Sequence, residues 1–312
     1  MEYKFEKLTD DNIVDLLPIY KSAFDIDIDL NELKAKFNTS SFGFKNVGFI
    51  AYSLANEPAA FYGVFPCEIE INGEKKLIAQ SGDTMTHRKH RRKKLFVLLA
   101  EKTFEYCKEN GFHLIYGFPN ELSYMSFVKK LNWSHDESIR AYHIRCKCLP
   151  FIRLKEKLPF LTNALNNFKS KRLEGLQTVG RTFESIGANS GEVGVLRDQK
   201  FIEYKSYFKK YFIEIEGVLV WVKPKDMFLL VGDIEKCSDE TFQKIIKRLQ
   251  KICFAIGIPH LRFHTSPNSN IERLLIPISK KHEIEYPIGY LKLSDSIEPS
   301  AIQYSLADYD TF

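Results

Sequence analysis

The chain has 312 residues, 44% hydrophobic and 27% charged, with a net charge of +5, a balance that excludes disordered and membrane-embedded classes and leaves room for two ordinary domains. No apolar run approaches the roughly 20 residues that cross a bilayer. The amino terminus, MEYKFEKLTDD, lacks the character of a secretory signal, so a cytoplasmic location is expected.

Thr9 followed by Asp10 and Asp11 predicts a helix start, with Ile13, Leu16, Leu17, Tyr20 and Phe24 on one buried face. A short helix is expected over Leu30–Phe37, then strands over Val47–Ser53 and Ala59–Phe65. Glu68 to Ile71 alternates, and Asn72-Gly73 is a hairpin turn leading into a strand over Leu77–Thr86. Eight consecutive basic or histidine residues follow, His87 to Lys94. A helix from Leu95 to about Asn110 carries Phe96, Leu99, Ala100, Thr103, Phe104 and Cys107 on one stripe, and Gly111 stops it. His113–Pro119 reads as a strand, and Asn120 opens a helix ending near Leu131. A basic turn fed by a strand and opening a helix suits phosphate groups, because the helix start presents unpaired amides beside positive side chains.

From Cys148 to about Gly191 the pattern becomes a basic helical connector interrupted at Pro159, with Phe151, Leu154, Leu158, Leu161, Leu165 and Phe168 as its apolar stripe. A solvated connector and an anion- or membrane-facing surface both fit it. Strands are expected over Tyr211–Val222 and Met227–Asp233, then a helix capped by Ser238 and ended by Gly257. His260–Thr265 reads as a strand, Ser269–Leu275 as a helix, and Ile284–Leu293 as a last strand. The order of the first half thus recurs without its basic turn.

Thr86-His87-Arg88-Lys89-His90-Arg91-Arg92-Lys93-Lys94-Leu95-Phe96 resembles the T-H-P-x-Y-R-x-x-G-hydrophobic-F turn of GNAT acyl-CoA N-acyltransferases. Pro119-Asn120-x-x-Ser123-Tyr124-x-x-Phe127-x-Lys129-Lys130-Leu131-x-Trp133 is similar to the second motif of that superfamily, and most similar to a tandem branch associated with bacterial polysaccharide biosynthesis. Arg88 stands at the usual proline, Arg92, Lys94 and Asn132 at the usual glycines, and Val128 at the commonest tyrosine position. The resemblance implies an α/β (α+β) protein of two GNAT-like domains, each a mixed twisted sheet flanked by helices, the second degenerate. The expected division is 1–147 as the acyl-CoA-binding domain, 148–190 as the connector and 191–312 as the second domain.

The implied reaction is transfer of an acyl group, with acetyl-CoA as cosubstrate and no metal, to a small-molecule primary amine such as an amino sugar or its nucleotide-linked form. Met85 and Thr86 would pair with the pantetheine arm, and Arg91, Arg92, Lys93, Lys94 and Leu95 would meet the pyrophosphate. Asn120 either bonds the cosubstrate or caps its helix. Asp83, just before the turn, is the candidate general base, with Glu68 and Glu70 as weaker candidates on a solvent-facing strand. Tyr124 is the candidate acid for the leaving thiolate, and the terminal carboxylate of Phe312 is a second candidate base. A non-catalytic GNAT-like binding protein and a FemAB-like aminoacyl transferase fit the same fold. No nucleic-acid partner is expected from so small a net charge, and the oligomeric state is open. The six cysteines show no C-x-x-C pair, and His87, His90, His113, His143, His260, His264 and His282 have no metal spacing, so reduced thiols and structural histidines are expected.

Overall fold

The computed structural model describes residues 2–189, 192–279 and 281–312; the connector boundary expected at 190/191 falls outside them. In chain order the first elements are β1 (Tyr3–Lys7), α1 (Leu16–Phe24), α2 (Leu30–Phe37), β2 (Gly48–Ser53), β3 (Pro58–Ile71) and β4 (Glu74–Thr86). Then come α3 (Leu95–Glu109), β5 (Leu114–Gly117), α4 (Glu121–Leu131) and β6 (Ser134–Arg145). The first helix starts later than Thr9: Thr9 and Asn12 bond each other's backbone amides, and a single 3-10 turn at Ile13–Asp15 intervenes. Strand β6 was not foreseen, because SHDESIR shows no apolar alternation and its place is set by its partner strand.

The second half adds α5 (Phe151–Lys157), α6 (Thr162–Glu174), β7 (Gln177–Thr178), β8 (Val193–Gly194), α7 (Gln199–Tyr204), β9 (Tyr211–Ile215), β10 (Val218–Lys225) and β11 (Phe228–Ile234). It closes with α8 (Asp239–Ile256), β12 (His260–Thr265), α9 (Asn270–Leu275), β13 (Lys281–Lys292) and β14 (Ile302–Gln303). The single strand expected over Tyr211–Val222 is a hairpin instead. Glu216 and Gly217 both take positive φ, 55° and 76°, which turns the chain back on itself.

The chain forms two compact units that interleave in sequence. The first holds residues up to Asp136 with Glu203–Phe208 and Tyr286–Ser300; the second holds Glu137–Ile202, Lys209–Glu285 and Ala301–Phe312. In the first, β1, β2, β3 and β4 pair antiparallel in that order, β5 joins β4 in parallel, and β13 pairs antiparallel with β5 from Gly289 to Lys292. Helix α3 is the crossover, and Leu99, Ala100, Phe104 and Cys107 bury against Tyr62, Ile115 and Trp133. In the second, β7, β9, β10 and β11 pair antiparallel, β12 joins β11 in parallel, and β6 pairs antiparallel with β12. Its crossover is α8, whose Phe242, Ile245, Ile246, Leu249, Ile252, Cys253 and Ile256 are all buried. Each such side chain removed from water contributes about 1.5–3 kcal/mol. The fold is therefore mixed α/β, with the same strand–helix–strand crossover in each unit.

The chain end is built into the second unit. Phe312 is 1% exposed, its ring edge-on to Trp221, and a Cβ on Gly232 would lie 2.2 Å from its Cζ, so only glycine admits the ring. Beside it, buried Arg197 donates from Nε to Asp233 Oδ2 at 2.7 Å and from its two terminal nitrogens to the Asp308 carboxylate at 2.7 and 3.0 Å. Burial opposes the Arg197 charge, but Asp308 and Asp233 outweigh it and hold the guanidinium above the ordinary arginine range. The tail aspartate Asp308 thus belongs to a closed ionic cluster.

Candidate active site

The basic turn has two halves with different roles. Its first half is tied down: His87 N donates to Ala59 O, Arg88 N to Ser22 Oγ, and His90 Nδ1 lies 3.0 Å from the Tyr3 hydroxyl. Arg91, Arg92, Lys93 and Lys94 are all exposed. Arg92 and Lys94 have φ of 64° and 59°, the left-handed region that glycine favours. These are the two positions where the resembled turn carries glycine. The backbone shape of the turn is retained, with a cation added at each bend, at about 1 kcal/mol of strain per residue. Asn132, the third such position, has φ 55° and ends α4, with Trp133 N donating to Phe127 O.

Helix α3 starts directly from Lys94, and no side chain caps it. The first amides of an uncapped helix lack partners and attract anions. They open onto a cleft of about 540 Å³ lined by Thr86, Arg91, Arg92, Lys93, Lys94 and Leu95, with Ser126 and Lys130 of α4 opposite. Six of the eight expected cosubstrate residues are therefore brought together. Ser126 and Lys130 were missed; their i, i+4 spacing on α4 was the available signal.

The other expected residues sit elsewhere. Met85 is buried opposite Phe61, so its side chain is core and only its backbone can serve a ligand. Asn120 accepts from Ser123 N at 3.0 Å, which places its side chain as the cap of α4. Strand β4 pairs with β5 only from Ile78 to Gln80 among the described residues, while it continues to Thr86 against β3. The β5-facing edge of the last β4 residues is thus a place where extended amides could add as a strand.

Asp83 lies in a bulge of β4, opposite Tyr62, with φ 51°. Its Oδ1 accepts from Lys36 Nζ at 2.7 Å, and both side chains are almost wholly buried. Lys36, a residue that sequence reasoning missed, reaches it from α2, where helical spacing gave it no distinguishing mark. Tyr204 donates to the Lys36 carbonyl and fixes that end of α2. Tyr124 is half-buried, with its hydroxyl 3.1 Å from His135 Nε2 and the two rings edge-on. His135 was also missed. Glu68 is mostly buried, its side chain 15% exposed, and pairs with Lys75, so only Glu70 is exposed as a solvent-facing strand would have it. Phe312 lies in the second unit, where Lys210 stands over its ring and Lys223 donates to the Thr311 carbonyl. Among the described residues no group of three or more His, Cys, Asp or Glu could hold a metal ion.

Residues 5–135 match the family model described as "Acetyltransferase (GNAT) domain", less than half of the chain. No curated protein matches its sequence. A GCN5-related N-acetyltransferase from Kribbella flavida superposes with a TM-score of 0.61 at 12% identity, covering 92% of this chain and 70% of that one. Another from Anabaena variabilis ATCC 29413 gives 0.58 at 11% identity, covering 94% and 73%. At such identities the likeness is one of fold, and it runs through both units. The chain therefore has the fold of GCN5-related N-acetyltransferases, with a segment matched by the GNAT acetyltransferase domain at residues 5–135.

Proposed function

We propose that the protein is an acyl-CoA-dependent N-acyltransferase, with acetyl-CoA as donor and a primary amine as acceptor. The observation that carries this reading is the turn at Arg91–Leu95: an uncapped helix start, two left-handed residues and four cations around one cleft. That combination suits a pyrophosphate, which needs amides at close range and positive charge around them. The pantetheine arm would extend along the free edge of β4 beyond Gln80. The residues up to 147 would supply this donor site, and the acceptor would be an amino sugar or nucleotide-linked amino sugar, as the resemblance of both motifs suggests. The reaction would take place in the cytoplasm. No described helix is long and apolar enough to cross a membrane.

In this mechanism the amine attacks the thioester carbonyl, the new C–N bond forms and the C–S bond breaks. Asp83 takes the amine proton, directly or through water, from a bulge that Lys36 holds in place. Tyr124 returns a proton to the departing thiolate, and His135 at its hydroxyl replenishes it. The Phe312 carboxylate is the alternative base.

The test is thiol release from acetyl-CoA across a panel of primary amines that includes amino sugars. Amine-dependent release, lowered about a hundredfold or more by Asp83→Asn, supports the assignment. Unchanged turnover in that variant moves the base role to Phe312. Binding of acetyl-CoA with no release for any amine makes the chain a binding protein, a reading favoured by the engagement of Asp83 with Lys36.

A further inference from the structure

The connector helices of the second unit do not bury the apolar stripe expected of them. Leu158 and Phe168 stay exposed, and Phe160, in the 3-10 turn at Pro159–Leu161 between α5 and α6, is 76% exposed. Around this apolar turn the charge is one-sided: residues 148–175 hold six Lys or Arg against two Glu. Lys155 of α5 and Lys169 of α6 contact each other; burial, then the Lys155 charge, pushes the Lys169 amine below its ordinary range. Two ammonium groups in contact gain from an anion beside them.

A second feature lies on the same helical layer. Lys171 and Arg172 of α6 and Arg248 and Lys251 of α8 line a cleft of about 350 Å³ with Leu176 and Ile252 in its wall. Among the described residues none of these four cations makes a salt bridge and no carboxylate lines the cleft. Phe254, further along α8, is half-exposed.

We propose that α5, α6 and the facing side of α8 form a docking surface for an anionic lipid bilayer. Phe160 and Leu158 enter the headgroup layer, and a headgroup phosphate sits among Lys171, Arg172, Arg248 and Lys251. Exposed aromatic and aliphatic side chains on a basic helical surface are the chemistry that binds such an interface, and charge alone does not use them. A nucleic acid would answer the cations and could stack a base on Phe160, but it would leave the exposed aliphatic Leu158 beside it unused, which a bilayer would not. Every residue involved lies in the second unit, so the proposal goes beyond the acyltransferase reading and stands without it.

Co-sedimentation of the full chain with phosphatidylcholine vesicles, with and without phosphatidylglycerol, tests it. The expected result is binding only to the phosphatidylglycerol vesicles, weakening as salt rises. Lys169→Ala, Lys171→Ala and Arg172→Ala should each lower binding about fivefold, and about a hundredfold together. Phe160→Ser removes a side chain that buries almost nothing, so it leaves the fold intact, and it should also lower binding. A native chain that stays in the supernatant at low salt overturns the proposal. So does vesicle binding that survives the triple variant and Phe160→Ser, or is lost only when Arg91, Lys93 and Lys94 become alanine. Tighter retention on an RNA homopolymer than on the vesicles overturns it too.

Discussion

The two crossover helices start from opposite designs. Helix α8 is capped by Ser238, whose hydroxyl accepts from Thr241 N, and Asp239 and Glu240 fill its first turn. Its start is satisfied from within. Helix α3 starts from left-handed Lys94 with no side-chain cap and no acidic residue in its first turn. Its amides and four cations face a cleft. The same contrast extends to the charges around them: in the second unit Arg197, Asp233 and Asp308 close on each other in the interior, while in the first, among the described residues, Lys93 reaches exposed Glu2 at 3.5 Å and Arg91, Arg92 and Lys94 make no salt bridge. The crossover is shared, and the two copies differ in whether the helix start is already paired; under the acyltransferase reading the unpaired start is the one that would take the ligand.

The largest expected break in that comparison is Arg197→Leu, which strands two buried carboxylates and should cost about 3–5 kcal/mol in urea unfolding. Next is acid. Burial, then the Arg262 and His143 charges, hold His264 at about 3, and its Nε2 accepts from Arg262 Nε. The unfolded imidazole takes a proton below about pH 6.5 and the folded one does not until about pH 3. Stability is thus full above 6.5 and falls as pH drops through that window, by about 2 kcal/mol at pH 5. His264→Gln should flatten this part of the pH profile of urea unfolding. Smaller is Ser238→Ala, which should cost about 1 kcal/mol by unpairing the α8 start. The smallest sharpens the other side: Lys94→Gly should gain up to about 1 kcal/mol by relieving the left-handed strain, and weaken acyl-CoA binding at the same time. A tighter-binding Lys94→Gly would mean that the turn needs glycine's close approach more than lysine's charge.

The crossovers were legible because apolar periodicity and end signals agreed, as at Ser238 and Gly257 around α8. The basic turn was legible for the same reason, being charge placed between a strand and an amphipathic helix. That Arg92, Lys94 and Asn132 keep a glycine-like backbone was not, since nothing in an Arg or Lys signals positive φ. Strand β6 was hidden because tertiary pairing, not alternation, defines it. Lys36 and His135 were hidden because their roles come from contacts 47 and 11 residues away in sequence. Leu158 and Phe168 of the expected connector stripe stay exposed, because periodicity says which face is apolar but not whether anything covers it.

The most direct test of the central claim is calorimetric titration of acetyl-CoA into the full chain and into the variant with Arg91, Lys93 and Lys94 changed to alanine. The account predicts micromolar binding to the native chain that the variant loses by about a hundredfold or more, since charge-assisted bonds contribute about 1.5–3 kcal/mol each. Native binding that the variant keeps, or no binding to either, would contradict it.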